Sequence, residues 1–195
     1  MQIQKDEIRN RILSVAMDEF SLHGYRKTTM KAIARKSGIA VGDIYTYFHG
    51  KDALLESLLA STVEAVKQAV TSDNFLLNTP SEAAIEANAR EVAEKFVKIR
   101  KPFLILLHNC EGSCYENIRS DLVRLACKRI LAEGSEPFRE SPYIAEAIAV
   151  AVINGAIHIF CRCSHNLPLF STTLAAYNKL VIQSLTAQSM PRTNQ

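Results

Sequence analysis

Apolar residues recur every three or four positions along most of the chain, the spacing that gives an α-helix one buried face. Ile8, Ile12, Leu13, Ala16 and Phe20 form such a stripe and predict a first helix from about Lys5 to His23, ended by Gly24. Ile33 and Ala34 mark a short second segment that stops at Ser37-Gly38, and Ile44, Tyr45 and Phe48 mark a third that starts two or three residues later. Thr29 is placed to cap the second segment through its hydroxyl. Gly38 can take the left-handed conformation that lets a chain leave one helix and enter the next at a steep angle. The pattern is therefore helix, tight turn, helix. After a break at His49-Gly50, a long helix is expected from Lys51 to about Ser72, with Asp52 near its positive end.

Residues 73–78 read as a loop. Thr79-Pro80-Ser81-Glu82 is a capping box with proline at the first helical position, opening a helix that reaches Arg100. Lys101-Pro102 breaks it, and Phe103 to Asn109 forms a short apolar helix. Ser113-Cys114-Tyr115-Glu116 is a second capping box, opening a helix to about Glu133 that Gly134 closes. Ser141-Pro142 starts a helix that runs to about His165 and is stopped by Asn166 and Pro168, and a last helix spans about Thr172 to Gln188. No strand pattern or internal repeat interrupts this series. The expected class is all-α, with about nine helices.

One element differs from the rest. Between Pro142 and His165, Ile144, Ile148, Val150, Val152, Ile153, Ile157, Ile159 and Phe160 cover the full circumference of the helix. A helix apolar all round must be buried on both sides. One side can face the chain's own core, and the other needs a second copy or a place at the centre of a monomer.

Charge sharpens the N-terminal picture. Residues 1–51 carry nine Lys/Arg against five Asp/Glu, whereas the remaining 144 carry fourteen against fifteen. A basic first quarter is what a DNA-contacting surface requires. No basic-then-apolar leader opens the sequence, and the longest apolar stretch, Ala147 to Cys161, is interrupted by Asn154 and His158 and is shorter than the ~20 residues of a membrane span. A cytoplasmic protein without membrane contact is expected. Five cysteines, an odd number, do not suggest a disulfide scaffold.

Thr28-Thr29, Ile33-Ala34, Gly38-Ile39, Gly42, Ile44-Tyr45, Tyr47-Phe48 and Lys51, followed by Ala53-Leu54-Leu55, together resemble the signature of the TetR family of bacterial transcription regulators. The resemblance covers residues 5 to 60. It implies a three-helix helix-turn-helix DNA-binding domain over residues 1–50, with helix four from Lys51 as connector, and a ligand-binding and dimerisation bundle over residues 51–195. The implied function is a one-component regulator, in the expected sense a repressor, that binds a palindromic operator as a homodimer and is released by a small-molecule effector. The last two helices of each copy would pair as a four-helix dimer interface.

The match to the family pattern carries phosphate contacts onto Thr29, Lys31, Tyr47 and Lys51, and the chemistry agrees. Helix-start amides and cations hold phosphate, and a tyrosine hydroxyl can donate to it. Candidates for reading bases are Val41, Gly42, Asp43, Tyr45 and Thr46. Val41 and the Thr46 methyl suit thymine methyl groups, Asp43 can accept from a cytosine amino group, and Gly42 permits close approach. Ile44 and Phe48 are expected in the core, Tyr45 can serve either side, and Asp43 can simply favour a helix start. Many family members have Ser, Lys and Arg where this chain has Ala40, Val41 and Thr46, so Ile39 to Gly50 contains no Lys or Arg. Base contacts are therefore expected to be apolar and neutral-polar, with affinity leaning on Lys5, Arg9, Lys31 and Lys51.

For the effector, the family's pocket points to Phe96, Phe103, Leu107, Tyr115 and Phe160, with His108, Asn154 and His158 as polar partners. Core packing is the competing role for each aromatic residue. His108, Cys110 and Cys114 cluster before the seventh helix, and His158, Cys161, Cys163 and His165 crowd the end of the eighth. His158, Cys161 and His165 share a helical face and could hold a thiophilic metal, or reactive thiols in these clusters could sense oxidants; buried cysteine behaving as a small hydrophobe is the plainer role. No cofactor is called for. Nucleophile elbow, P-loop, dinucleotide fingerprint and H-E-x-x-H motif are all missing from the sequence, which leaves little for an enzyme. A helix-turn-helix protein acting through a protein partner is the remaining rival.

Overall fold

A computed structural model describes residues 2–72, 81–133 and 141–187, and among these the secondary structure is helical throughout. The helices are α1 (Gln2–Lys27), α2 (Met30–Lys36), α3 (Val41–Tyr47), α4 (Lys51–Thr71), α5 (Glu82–Lys98), α6 (Arg100–His108), α7 (Ile118–Glu133), α8 (Pro142–Cys163) and α9 (Leu167–Ala187). The all-α class and the nine helices among the described residues agree with the periodicity. The loop over residues 73–78, the cap at Thr79-Pro80, the closure at Gly134 and the end at Gln188 lie outside the described residues.

Several boundaries move, each for a local reason. Gly24 does interrupt α1, with φ 72 and ψ 166. At the start of α5 the Ser81 hydroxyl oxygen accepts the Ala84 amide at 3.2 Å. Pro102 lies in the first turn of α6 instead of breaking a helix, because a residue there needs no N–H; the break is at Ile99. Ser113 and Glu116 spend their side chains on the Tyr115 and Gly112 amides, which closes a turn, so α7 starts only at Ile118. Asn166 and Pro168 open α9 where they were expected only to stop α8: the Asn166 side-chain oxygen accepts the Leu169 amide at 3.1 Å, and α9 begins five residues earlier than its apolar stripe suggests.

The helices gather into two units, Met1–Ala65 with Ile99–Ile118, and Val66–Lys98 with Arg119–Gln195. In the first, α1 packs on α2 and α6, and α2 on α3. Its interior holds Ile12, Ala16, Phe20, Ile33, Ala34, Ile44, Leu54 and Leu55, all fully buried, and each of the Ile, Leu and Phe side chains contributes roughly 1.5–3 kcal/mol. The boundary at Lys51 drawn from the sequence falls inside this unit. In the second unit α9 runs along α5 and against α8. Phe160 stands edge-on to both Phe96 and Phe170, with ring centroids 6.2 and 5.7 Å apart.

α8 is, among the described residues, the one helix long and apolar enough to cross a membrane by length and composition, with mean hydropathy 1.9 over its most apolar stretch. Only a third of that stretch is buried. Ile144 and Val150 remain exposed on α8, as does Leu180 on α9, which is 64% accessible.

Candidate nucleic-acid interface

The helix-turn-helix forms as the sequence predicts. Thr29 caps α2 by accepting the Ala32 amide at 3.1 Å. At the other end Gly38 has φ 66, and the Gly38 and Ile39 amides donate to the Arg35 and Ala34 carbonyls, closing the helix as the chain turns. Ile33 and Ala34 below α2 and Ile44 below α3 are fully buried, and Phe48 is nearly so. These residues hold the underside of α3.

What α3 leaves outward is uncharged apart from Asp43. Val41, Gly42, Asp43, Tyr45 and Thr46 are all exposed, Val41 at 41% and Tyr45 at 47%. Tyr45 is thus on the solvent side. The Thr46 hydroxyl donates to the Asp43 carbonyl at 2.7 Å, leaving its oxygen to accept. A Cβ added at Gly42 would meet no atom within 4 Å, so nothing in the chain's own packing calls for glycine there. Asp43 sits in the first turn of α3, where its charge favours the helix, and Ala40 supplies no side-chain cap.

The cations divide into two groups. Lys31 is exposed at the start of α2. Arg9 is exposed on α1, its guanidinium 5.2 Å from the ring centroid of Phe48 at the end of α3, which restricts an otherwise mobile side chain. Lys36 and Lys51 are committed to the fold. Lys36 pairs with the buried Glu19 carboxylate at 2.5 Å. Lys51 donates to the Tyr25 and Thr28 carbonyls at 2.8 and 3.1 Å and sits 4.0 Å from the Tyr25 ring centroid. One of the three Lys51 ammonium protons and the helix-start amides are what it can still offer a phosphate. Thr29 is exposed, its hydroxyl oxygen engaged as the cap, and Tyr47 is half-buried.

The short link from Gly24 to Thr28, which joins α1 to α2, carries contacts that sequence reasoning missed. The Tyr25 hydroxyl donates to Asp52 at 2.6 Å, and burial first, then that bond and the Asp52 charge, push its pKa up to about 12. The buried Thr28 hydroxyl bonds to the Gly24 and Glu19 carbonyls. Asn109, at the end of α6, bonds to Phe20, Ser21 and Tyr25. Tyr25 and Asp52 are 27 positions apart and Asn109 more than 80 from its partners, so no local spacing announces them.

The proposed effector residues are distributed over both units. Phe96 is buried in the second unit with Phe160 and Phe170, while Asn154 and His158 are exposed on α8. Phe103 and Leu107 are buried in the first unit, where Tyr115 is half-buried and His108 exposed. Leu107 and His108 border a crevice of about 280 Å³ with Cys110, Glu111 and Glu116. A groove of about 350 Å³ runs between α5 and α9, with Ile85 and Ala175 in its lining and the Lys179–Glu82 ion pair beside them.

Among the described residues no group of three His, Cys, Asp or Glu side chains is placed to hold a metal ion. α8 ends at Cys163, so His165 lies past the helix and the shared face of His158, Cys161 and His165 is not continued. None of the five cysteines is in a disulfide, and burial pushes the Cys110 thiol up to about 11 and raises Cys114 as well. That is opposite to the lowered pKa of a reactive thiolate.

Comparison with known proteins agrees with this geometry. Residues 12–58 match the family described as "Bacterial regulatory proteins, tetR family". The HTH-type transcriptional regulator SrpR of Pseudomonas putida is 34% identical over 70 residues, which are 36% of this chain and 33% of that regulator; the chain thus spans about a third of the relative's length. A TetR-like transcriptional regulator from Rhodococcus sp. RHA1 superposes with a TM-score of 0.62 at 20% identity, over 92% of this chain and 96% of that one. A SmeT–triclosan complex does so with a TM-score of 0.55 at 18% identity, over 96% and 93%. At these identities the structures establish the fold, and the relatives are regulators, not enzymes. Residues 12–58 thus match the tetR family of bacterial regulatory proteins, and the helical architecture resembles that of the Rhodococcus regulator.

Proposed function

We propose that the protein is a one-component transcription regulator that binds a palindromic operator as a homodimer and represses until a small molecule releases it. The observation that carries this reading is the outward face of α3. Val41, Gly42, Asp43, Tyr45 and Thr46 are exposed above a buried Ile44 and Phe48, inside the family-matched residues. Neutral side chains there read thymine methyls and base-edge donors. Lys31, Arg9 and Lys5, with Thr29 and Tyr47, supply the phosphate contacts, and Lys51 contributes mainly by holding the link that precedes α2. Residues 1–50 act as the DNA-binding part, and the rest senses and dimerises. The exposed apolar side chains of α8 and α9 support pairing with a second copy, since a surface of that kind is costly in water. A two-fold dimer presents two recognition helices to half-sites about 34 Å apart. Effector release is inferred from the fold shared with SmeT, which binds triclosan in its complex; the effector here is expected to be a small, partly apolar molecule. A cytoplasmic location follows from a DNA target.

A genome-fragment selection with the purified protein, followed by fluorescence anisotropy over a salt series, tests the reading. Enrichment of an inverted repeat, with log affinity falling linearly in log salt, is the expected result. With about four to six phosphates neutralised per dimer the slope lies near −4 to −5. Equal weak binding to all duplexes would overturn it in favour of a regulator that works through a protein partner, a reading that the lack of Lys or Arg on α3 keeps in play.

A further inference from the structure

In an uninterrupted helix the Tyr25 amide would donate to the Ser21 carbonyl, four residues back. Gly24 prevents this. At φ 72 and ψ 166 it is in a region open only to glycine, and it is not the left-handed cap that would let α1 close its own end. The two orphaned groups are both taken up by one residue. The Asn109 carbonyl accepts the Tyr25 amide at 2.7 Å, while its side-chain Nδ2 donates to the Ser21 carbonyl at 2.8 Å and to Phe20 at 3.0 Å. Two carbonyl neighbours fix the carboxamide with its nitrogen inward. Asn109 is therefore spliced into the hydrogen-bond ladder of α1.

The same residue is the C-cap of α6, its own amide donating to the Ile105 carbonyl at 2.8 Å. Further pairs flank the splice, Lys101 of α6 with Asp18 of α1 and, past the end of α6, Glu111 with Arg26. These are exposed and worth little each. Beyond the splice, Arg26 and Lys27 lead from Tyr25 to Thr28, and Thr29 then caps α2. The direction in which the chain leaves α1 sets where α2, and α3 behind it, must start.

We infer that Asn109 is a positioning residue for DNA binding: by bridging Ser21 and Tyr25 it fixes the exit of α1 and with it the pose of the helix-turn-helix. The inference rests on the DNA-binding reading above. Aspartate keeps the shape and the main-chain acceptor but has no proton for the two carbonyls, and alanine removes the side chain alone. Serine is too short to reach both.

The test compares full-length wild type, Asn109→Asp, Asn109→Ala and a core control, Ile105→Val, which lowers the melting temperature without touching the splice. Amide exchange is read over residues 20–30 and over α4, and affinity is read by anisotropy on the selected inverted repeat, well below every melting point. Both Asn109 variants are expected to exchange at Tyr25 at least tenfold faster with α4 unchanged, and to bind at least tenfold more weakly, whereas Ile105→Val retains wild-type affinity. Unchanged exchange at Tyr25, whose acceptor is the main-chain carbonyl that the variants keep, would show that the Asn109 side chain does not fix the exit of α1 and would overturn the inference. Faster exchange with unchanged affinity, or an equal loss of affinity in Ile105→Val, would reduce it to a purely structural contact and overturn the inference. If neither Asn109 variant folds, Asn109→Ser carries the same measurements. Failure of the wild type to bind any duplex would overturn the DNA-binding reading itself, and this inference with it, while leaving the exchange result standing.

Discussion

Tyr25 shows how one side chain ties a boundary to pH. Its ordinary pKa of 10.0 is raised to about 12, by burial first and then by Asp52. A raised value means the native state keeps a proton that the unfolded chain releases. The stabilisation is complete below pH 10 and is lost as the pH rises towards about 12. Melting temperature should therefore fall more steeply between those limits in the wild type than in Tyr25→Phe, measured side by side by circular dichroism. Parallel curves would mean that the proton is not held. Burial also raises Tyr115 and Tyr177, so the comparison with Tyr25→Phe, and not the wild-type curve alone, isolates the residue.

At the level of elements, the contact between α8 and α9 turns on a missing side chain. A Cβ at Gly155 would lie 2.2 Å from the Tyr177 hydroxyl, which donates to the Ala151 carbonyl at 2.7 Å. Alanine is the better helix former by about 1 kcal/mol, but forcing a rigid, hydrogen-bonded ring aside costs about 1–3 kcal/mol. Gly155→Ala should thus lower the melting temperature of the wild type and raise that of Tyr177→Ala, where the ring is gone. A double-mutant cycle without this change of sign would show that the two helices adjust freely. The short helices α2 and α3 present the opposite case. At seven residues each they are too short to persist alone, and the buried Ile33, Ala34 and Ile44 beneath them supply what length does not.

For the whole molecule, the proposed pairing through the apolar faces of α8 and α9 makes a prediction about assembly. Val150→Glu combined with Leu180→Glu places charge on residues that are 41% and 64% exposed in one copy, so the folded chain tolerates it. Within a dimer interface the same charges would be buried without partners. Sedimentation should show monomers with unchanged helicity, and operator affinity should drop at least a hundredfold as the two half-sites are no longer held together. Dimers that survive the pair of substitutions would place the interface elsewhere.

Periodicity and punctuation by themselves determined the class of this protein and most of its elements. The stripe through Ile12, Ala16 and Phe20, the cap at Thr29 and the left-handed Gly38 depend on neighbours within four residues, and each is found where the sequence puts it. The buried Ile44 and outward Val41 follow from the same local geometry. Where one motif serves two ends, local reading failed: Asn166-Leu167-Pro168 stops a helix in the sequence, and in the structure it caps and opens the next one. Tertiary structure alone decided the rest. Lys51 fits a phosphate contact by position, yet the carbonyls of Tyr25 and Thr28 claim it, and the end of α1 is completed by Asn109 from far along the chain. Hydrogen bonds between distant residues follow from how helices pack, and helix packing is set by the sum of buried surfaces, which no local spacing records.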